Sequence, residues 1–518
     1  MTESNGSRKQ PPSIRWWPGL VLAILATVAI LWARSQTDWA FQKRNLTTAQ
    51  IGLVTAILLL VWWTFASRAP DRLRLRITFG LAGAALICAT LFRLRGMTGD
   101  MSPIIEFRWA NHQKPAALPR TVEVGAEPVQ FKQDFPQFGG PDRNGILSGP
   151  RLETNWTLHP PQVRWRQKVG AGWSGFALVG QVAITQEQRD ANECVVAYDL
   201  GGGKQLWMHP TLTRYKTTIA GEGPRATPTV VSNRVLAMGA TGVLKCLELA
   251  TGKLLWARDV VAESKAKVLQ WGCTSSPLVV GELVVVHGGE GIGRSLFAYH
   301  LTDGKLAWAA GTSDASYASP SLVTLADEPQ VLAFNDGTIS GHHPLTGATL
   351  WVRAWGNGNV VCASPVAVST NRVLFSSGYG VGAELLEISR TATGKFSVQP
   401  VWKSIRMKAK FAHLFARAGF LYGLDDGQFA CVDLRDGALR WKEGRYGHGQ
   451  GLLVGELYLL MAESGELVLL HPTSSAPNEI VRFRVFDSKT WNPSALSGDL
   501  LLVRNDQEAV CLKLKLAP

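Results

Sequence analysis

Lys245 to Trp256 reads KCLELATGKLLW: a short apolar strand, a polar turn at Thr251-Gly252-Lys253, and a second strand ending in Trp. The pattern returns as VAYDLGGGKQLW at 196–207, FAYHLTDGKLAW at 297–308, SGHHPLTGATLW at 340–351 and ACVDLRDGALRW at 430–441, with a longer version running from Leu386 to Trp402. A period of roughly 40 to 50 residues marks a repeat architecture, in which each unit buries its apolar face only against its neighbours.

Three landmarks align the repeats. The strand ending in Trp recurs at Trp165, Trp207, Trp256, Trp308, Trp351, Trp402 and Trp441, with Phe483 taking the eighth slot. A Ser/Thr-Pro-like start of a new strand recurs at Phe176, Pro228, Pro277, Pro320, Pro365, Leu414, Gly451 and Pro493. The apolar strand before the turn passes through Ala197, Cys246, Ala298, Gly341, Leu385, Cys431, Leu469 and Cys511. Eight of each, at about 44 residues per unit, predict an all-β eight-bladed propeller over 134–518, with four strands per blade. Val163 to Lys168 has no hairpin before it, and Ala509 to Leu514 has no Trp strand after it. The first is expected to complete the last blade and close the ring, which removes exposed sheet edges. The regular Trp is expected to pack between blades. Cys246, Cys431 and Cys511 share a slot with Ala and Gly, so they read as small core residues.

Before the propeller, three apolar stretches of about 16–33, 51–66 and 77–94 predict a membrane region over 1–95, with flanking Trp16, Trp17, Trp32, Trp62 and Trp63 suited to the interface. Residues 96–133 read as a Pro-containing linker, and Phe135 to Gly145 as the start of the folded domain. Arg8, Lys9, Arg15, Arg68, Arg72, Arg74 and Arg76 lie on one side of such a topology, against Arg34, Lys43, Arg44, Arg93 and Arg95 on the other. The bias places the N-terminus inside and the propeller outside a multi-pass cell (inner) membrane, in the extracytoplasmic space, which is the periplasm if the cell is Gram-negative. The formal charge of +13 is scattered without a basic run, which argues against nucleic acid as a partner.

Gly289-Glu290-Gly291-Ile292-Gly293 and Gly378-Tyr379-Gly380-Val381-Gly382 look like phosphate loops, but both fall at a hairpin of the repeat and neither opens a helix. His343 shares its slot with Asp199, Glu248 and Asp433, a turn-capping position, so no metal site is expected. One constellation is gathered by the fold itself. The residue three before each new-strand landmark would stand at one mouth of the central channel: Trp173, Arg225, Thr274, Tyr317, Cys362, Phe411, His448 and Thr490, with Trp271, Lys410 and Trp491 beside them. Aromatic faces with Arg, Lys and His suit a flat or anionic ligand. The same side chains also suit a plug of the channel.

With the TGKLLW and SSP signatures and the eightfold period in place, the region from Asp134 to Leu514 resembles the pyrroloquinoline quinone-like (PQQ-like) propeller repeat family, whose motif AxDxxTGKxxW it matches in most units. One branch of that family implies a dehydrogenase of alcohols or sugars: a quinone stacked over a Trp, calcium held by Glu and Asn, a catalytic Asp, and electrons passed to the membrane quinone pool. Trp271 and Arg225 are the residues that could serve there as stacking partner and anion partner. The other branch implies a non-catalytic scaffold for envelope assembly, with envelope proteins as partners and neither cofactor nor catalytic residue. The scaffold is the first expectation, because no adjacent cysteine pair and no assembled Glu, Asn and Asp can be read from the chain.

Overall fold

A computed structural model describes residues 14–37, 39–110, 135–289, 294–311, 313–355 and 360–518. The chain divides into two compact units, Met1–Asn111 and His112–Pro518.

The first unit contains α1 (Trp17–Ser35), α2 (Phe41–Val61, continued by a π-helical turn at Trp62–Ala66) and α3 (Asp71–Leu91). Each is long and apolar enough to cross a membrane. The α1 and α2 helices approach closely at Gly19, where a Cβ would lie 2.7 Å from the Trp62 ring. Two boundaries differ from the sequence reading. The second helix begins ten residues earlier than 51, through the polar turn Gln42-Lys43-Arg44-Asn45, which apolarity alone does not reveal. The third ends at Leu91, and Phe92–Met97 becomes β1, paired with β2 (Pro103–Phe107). Phe92-Arg93-Leu94-Arg95 alternates with period two, the pattern of a strand. The segment read as linker from Gly96 therefore starts inside a hairpin, tied by Arg93 to Glu106 at 2.7 Å. Most of the expected linker, 111–134, lies outside the described residues.

The second unit is the eight-bladed propeller. Blades 1 to 7 span 177–212, 229–259, 278–310, 321–354, 366–404, 415–443 and 450–484; blade 8 joins 495–513 to β4 (Gln162–Lys168). The ring closes as expected, with Trp165 opposite Cys511. In every blade the register shifts just after the residue that faces the Trp slot, for example between Cys246 and Leu247; that residue is small in six blades and Leu in blades 5 and 7. In blade 7 this bulge puts Val481, not Phe483, opposite Leu469; Phe483 pairs with Leu467, two residues away. The aromatic character of Phe483 misplaced the eighth slot.

The Trp side chains join successive blades. The indole nitrogens of Trp165, Trp207 and Trp256 donate to Leu200 O (2.8 Å), Leu249 O (2.9 Å) and Leu301 O (3.0 Å) of the following blade. The turn glycine of that blade lies flat on the same ring: a Cβ at Gly203 or Gly304 would stand 2.6 Å from Trp165 or Trp256. The Ser/Thr-Pro landmark has a physical cause as well. Gly175 N donates to Thr227 Oγ1 (3.1 Å), Thr227 N to Ser276 Oγ (3.0 Å) and Ser276 N to Ser319 Oγ (2.9 Å), so each hydroxyl bridges two inner strands at the axis.

Phe135 to Leu147 does more than begin the domain; it closes one end of the channel. Phe135 exchanges both backbone hydrogen bonds with Leu178 of blade 1, and Val230 N of blade 2 donates to Pro136 O (2.8 Å). A short strand, β3 (Ile146–Leu147), pairs in parallel with the inner strand of blade 7. Between them, buried Arg143 donates to Pro277 O (2.8 Å), Ser276 O (3.0 Å), Pro320 O (3.2 Å) and Gln137 Oε1 (3.1 Å). Burial lowers its pKa to about 9, so it remains charged at neutral pH.

His413 of blade 6 packs on Phe138, with ring centroids 4.6 Å apart. Burial, and secondarily the charge of Arg143, push its pKa down to about 4 from an ordinary value of 6.5. On acidification the unfolded chain therefore takes up a proton before the folded one. The stability this residue permits is complete above about pH 6.5 and is lost as pH falls from 6.5 towards 4, by about 2 kcal/mol at pH 5. His287, buried in blade 3 and also lowered to about 4, acts in the same direction. Thermal midpoints at pH 7 and 5 should diverge in the native chain and converge partly in His413→Gln; an unchanged pH dependence in that variant would refute the assignment.

Candidate functional site

The first strand of each blade is innermost, since these strands touch one another around the ring. The eight residues three before the landmarks therefore surround the channel end opposite the Phe135–Leu147 arm. Two groups form among them.

Trp173 and Trp491 lie 5.0 Å apart, Trp491 and Phe411 5.3 Å, and Phe411 and His448 5.9 Å. This group brings together blades 1, 6, 7 and 8. Glu463, a mouth residue with no signal in the repeat, accepts hydrogen bonds from Trp491 Nε1 (2.9 Å) and His448 N (3.0 Å). Lys489 sits over both indoles, 3.6 Å from Trp491 and 4.7 Å from Trp173.

In the second group, Trp271 lies 5.1 Å from Tyr317 and 6.3 Å from Tyr379, at interplanar angles of 32° and 31°. Thr274 Oγ1 donates to Tyr317 O at 2.5 Å, and Lys410 stands 5.2 Å over Tyr379. Tyr379 comes from the glycine-rich stretch 378–382, which is a hairpin turn as expected; burial raises its phenol pKa. The other glycine-rich stretch lies, from Glu290 to Gly293, outside the described residues. Half-buried Cys362 stands beside Tyr379 and Lys410, its thiol pushed up to about 12 by desolvation.

Arg225 belongs to neither group. It is 9% exposed and is covered by the segment 215–223, whose Tyr215 ring lies 4.8 Å from its guanidinium. Burial lowers its pKa to about 10.

Of the eleven residues expected at the mouth, eight are joined by ring or hydrogen-bond contacts into the two groups; Cys362 stands beside the second, Thr490 N donates to Glu463 O (3.0 Å) beside the first, and Arg225 lies apart under the 215–223 segment. The sequence reading missed Lys489, Glu463, Tyr379 and Tyr215. The first two could have been found by extending the alignment a few residues either side of Trp491 and into the blade 7 hairpin. Tyr215 lies in an insertion between blades, where the repeat gives no guidance.

Comparison with known proteins follows this geometry. Residues 191–443 match the family model described as outer membrane protein assembly factor BamB. Among solved structures, BamB from Moraxella catarrhalis is 15% identical with TM-score 0.50, covering 68% of this chain and 99% of its own. A europium-containing methanol dehydrogenase is 13% identical with TM-score 0.55, covering 72% of this chain and 96% of its own. The quinohemoprotein alcohol dehydrogenase from Comamonas testosteroni is 12% identical with TM-score 0.53, covering 74% and 80% respectively. No curated protein matches significantly in sequence. At these identities the structures establish a shared fold.

Proposed function

We propose, from the premise that this chain is a PQQ-like repeat propeller, that it is a membrane-anchored binding scaffold whose channel mouth engages a partner of the cell envelope. The observation that carries this reading is the state of the mouth aromatics: among the described residues, Trp271 and Trp491 each already lie against two neighbouring rings. Trp271 is covered by Tyr317 and Tyr379, and Trp491 by Trp173, Phe411 and Lys489. A quinone with calcium, the group the fold family implies, does not fit these residues. The indoles it would stack on already meet neighbouring rings at tilted or edge-on angles, and Glu463 accepts hydrogen bonds from Trp491 Nε1 and His448 N. The name of the assembly factor whose family model matches supports envelope assembly as the setting. The three apolar helices and the Lys/Arg bias support an inner-membrane anchor with the propeller in the periplasm.

A photoactivatable residue at Thr274, in the mouth, should form adducts with an envelope protein, whereas one at Gly498, in a turn at the opposite end of the ring, should not. Adducts of equal yield from both positions, or none from Thr274, would remove the reading. A reporter fused after Pro518 should be active only outside the cytoplasm; cytoplasmic activity would reverse the topology.

A further inference from the structure

Arg225 is buried, yet among the described residues no carboxylate lies within ion-pair distance of it. Its guanidinium donates instead to Gly223 O, to Gly221 O at 3.1 Å and to Ala220 O at 3.3 Å. With the Tyr215 ring, all of these partners belong to one hairpin, in which Lys216–Thr217 pairs with Gly221–Glu222. The same hairpin also holds Trp173 and the backbone just before Trp271. Ala220 O also accepts from Trp173 Nε1 at 2.6 Å, and the Tyr215 hydroxyl donates to Gln270 O at 2.5 Å, next to Trp271.

Three neutral carbonyls are a second-best partner for a buried guanidinium. A carboxylate in their place makes charge-assisted, bidentate bonds about twice as strong as neutral ones. Glu193 acts on Arg225 electrostatically but makes no ion pair with it; its Oε2 accepts the Ala240 amide at 2.8 Å. The hairpin itself is lightly held. Its ladder is two residue pairs long, and its cross-strand ion pair, Arg214 with Glu222 at 2.7 Å, is largely exposed on the arginine side. Such elements open at low cost in free energy.

We propose that the 215–223 hairpin is a strap that fills the Arg225 site with its own carbonyls, and that the mouth partner presents an acidic side chain which takes Arg225 as the strap lifts. This inference rests on the mouth-binding reading above and specifies its partner.

The test uses the full chain in detergent micelles and two labelled peptides: one with glutamates flanking a tryptophan, the other with glutamines in their place. The acidic peptide should bind about tenfold tighter and should speed amide exchange across 216–222. Tyr215→Ala, which loosens the strap, should tighten acidic binding further, and Arg225→Gln should abolish the preference. Equal binding of the two peptides to the native chain would overturn the proposal, as would faster exchange in Tyr215→Ala with no gain in affinity. If mouth adducts form while the peptides bind alike, the strap proposal falls and the scaffold stands. A clear acidic preference with no adduct from Thr274 gives the reverse.

Discussion

Trp256→Ala is expected to destabilise the propeller by about 3–5 kcal/mol, the range for removing a buried large aromatic side chain. The indole is 8% exposed and joins a cluster drawn from blades 2 and 3, with Leu236, Cys246 and Phe297. Its loss leaves a cavity, strips Leu301 O of its donor, and removes the surface on which Gly304 rests. The turn should be sensitive from the other side too. Gly252 has φ +70° and lies against Trp207 so closely that Gly252→Val meets both backbone strain and a ring clash. Thermal midpoints followed by circular dichroism should fall for both variants, while Leu212→Ser, at a side chain 82% exposed, should leave the midpoint nearly unchanged. A Trp256→Ala midpoint no lower than that of Leu212→Ser would contradict the inter-blade role.

Arg143→Ala should be the second severe lesion, at about 3 kcal/mol or more. The guanidinium bonds three backbone carbonyls of blades 3 and 4; without it Ser276 O and Pro320 O lose this donor, while Pro277 O keeps only Thr229 Oγ1 (2.6 Å). Gln137 Oε1 loses its donor as well, so the arm loosens as the ring weakens. Limited proteolysis should then cut between Phe135 and Leu147 well before it cuts the blades. The conservative Arg143→Lys should recover little, because one ammonium cannot reproduce the planar fork that reaches several carbonyls. If Arg143→Ala leaves both the midpoint and the arm's resistance unchanged, the arm is not a structural plug.

The repeat made the ring legible because each blade rewrites the same physical solution. TGK is a turn whose glycine must lie on a neighbour's indole, and SSP is a hydroxyl that must bridge two inner strands. Reading them in register was enough for blade count, ring closure and the placing of the mouth residues together. Where the solution is not repeated, the sequence said less. Val481 stands in the Trp slot without resembling Trp, so the nearby Phe483 was taken for it. The arm from Phe135 to Leu147 occurs once, and its arginine looks like any surface arginine until the channel surrounds it. The strap is likewise a single insertion. Its Tyr215 and Ala220 acquire meaning only through contacts with Trp173, Arg225 and Gln270, far apart in the repeat. In the first unit, apolarity located the three helices, while the polar first turns of α2 and the strand that follows α3 escaped it.

The most direct measurement is quinone binding. Full-length protein in detergent, titrated with pyrroloquinoline quinone and calcium, should show no saturable quenching of its tryptophan fluorescence and no dye reduction with alcohols or sugars, because the mouth indoles already pack against neighbouring rings. Stoichiometric binding of the quinone, with turnover that is lost in Trp271→Ala, would contradict the scaffold reading and make this propeller a dehydrogenase.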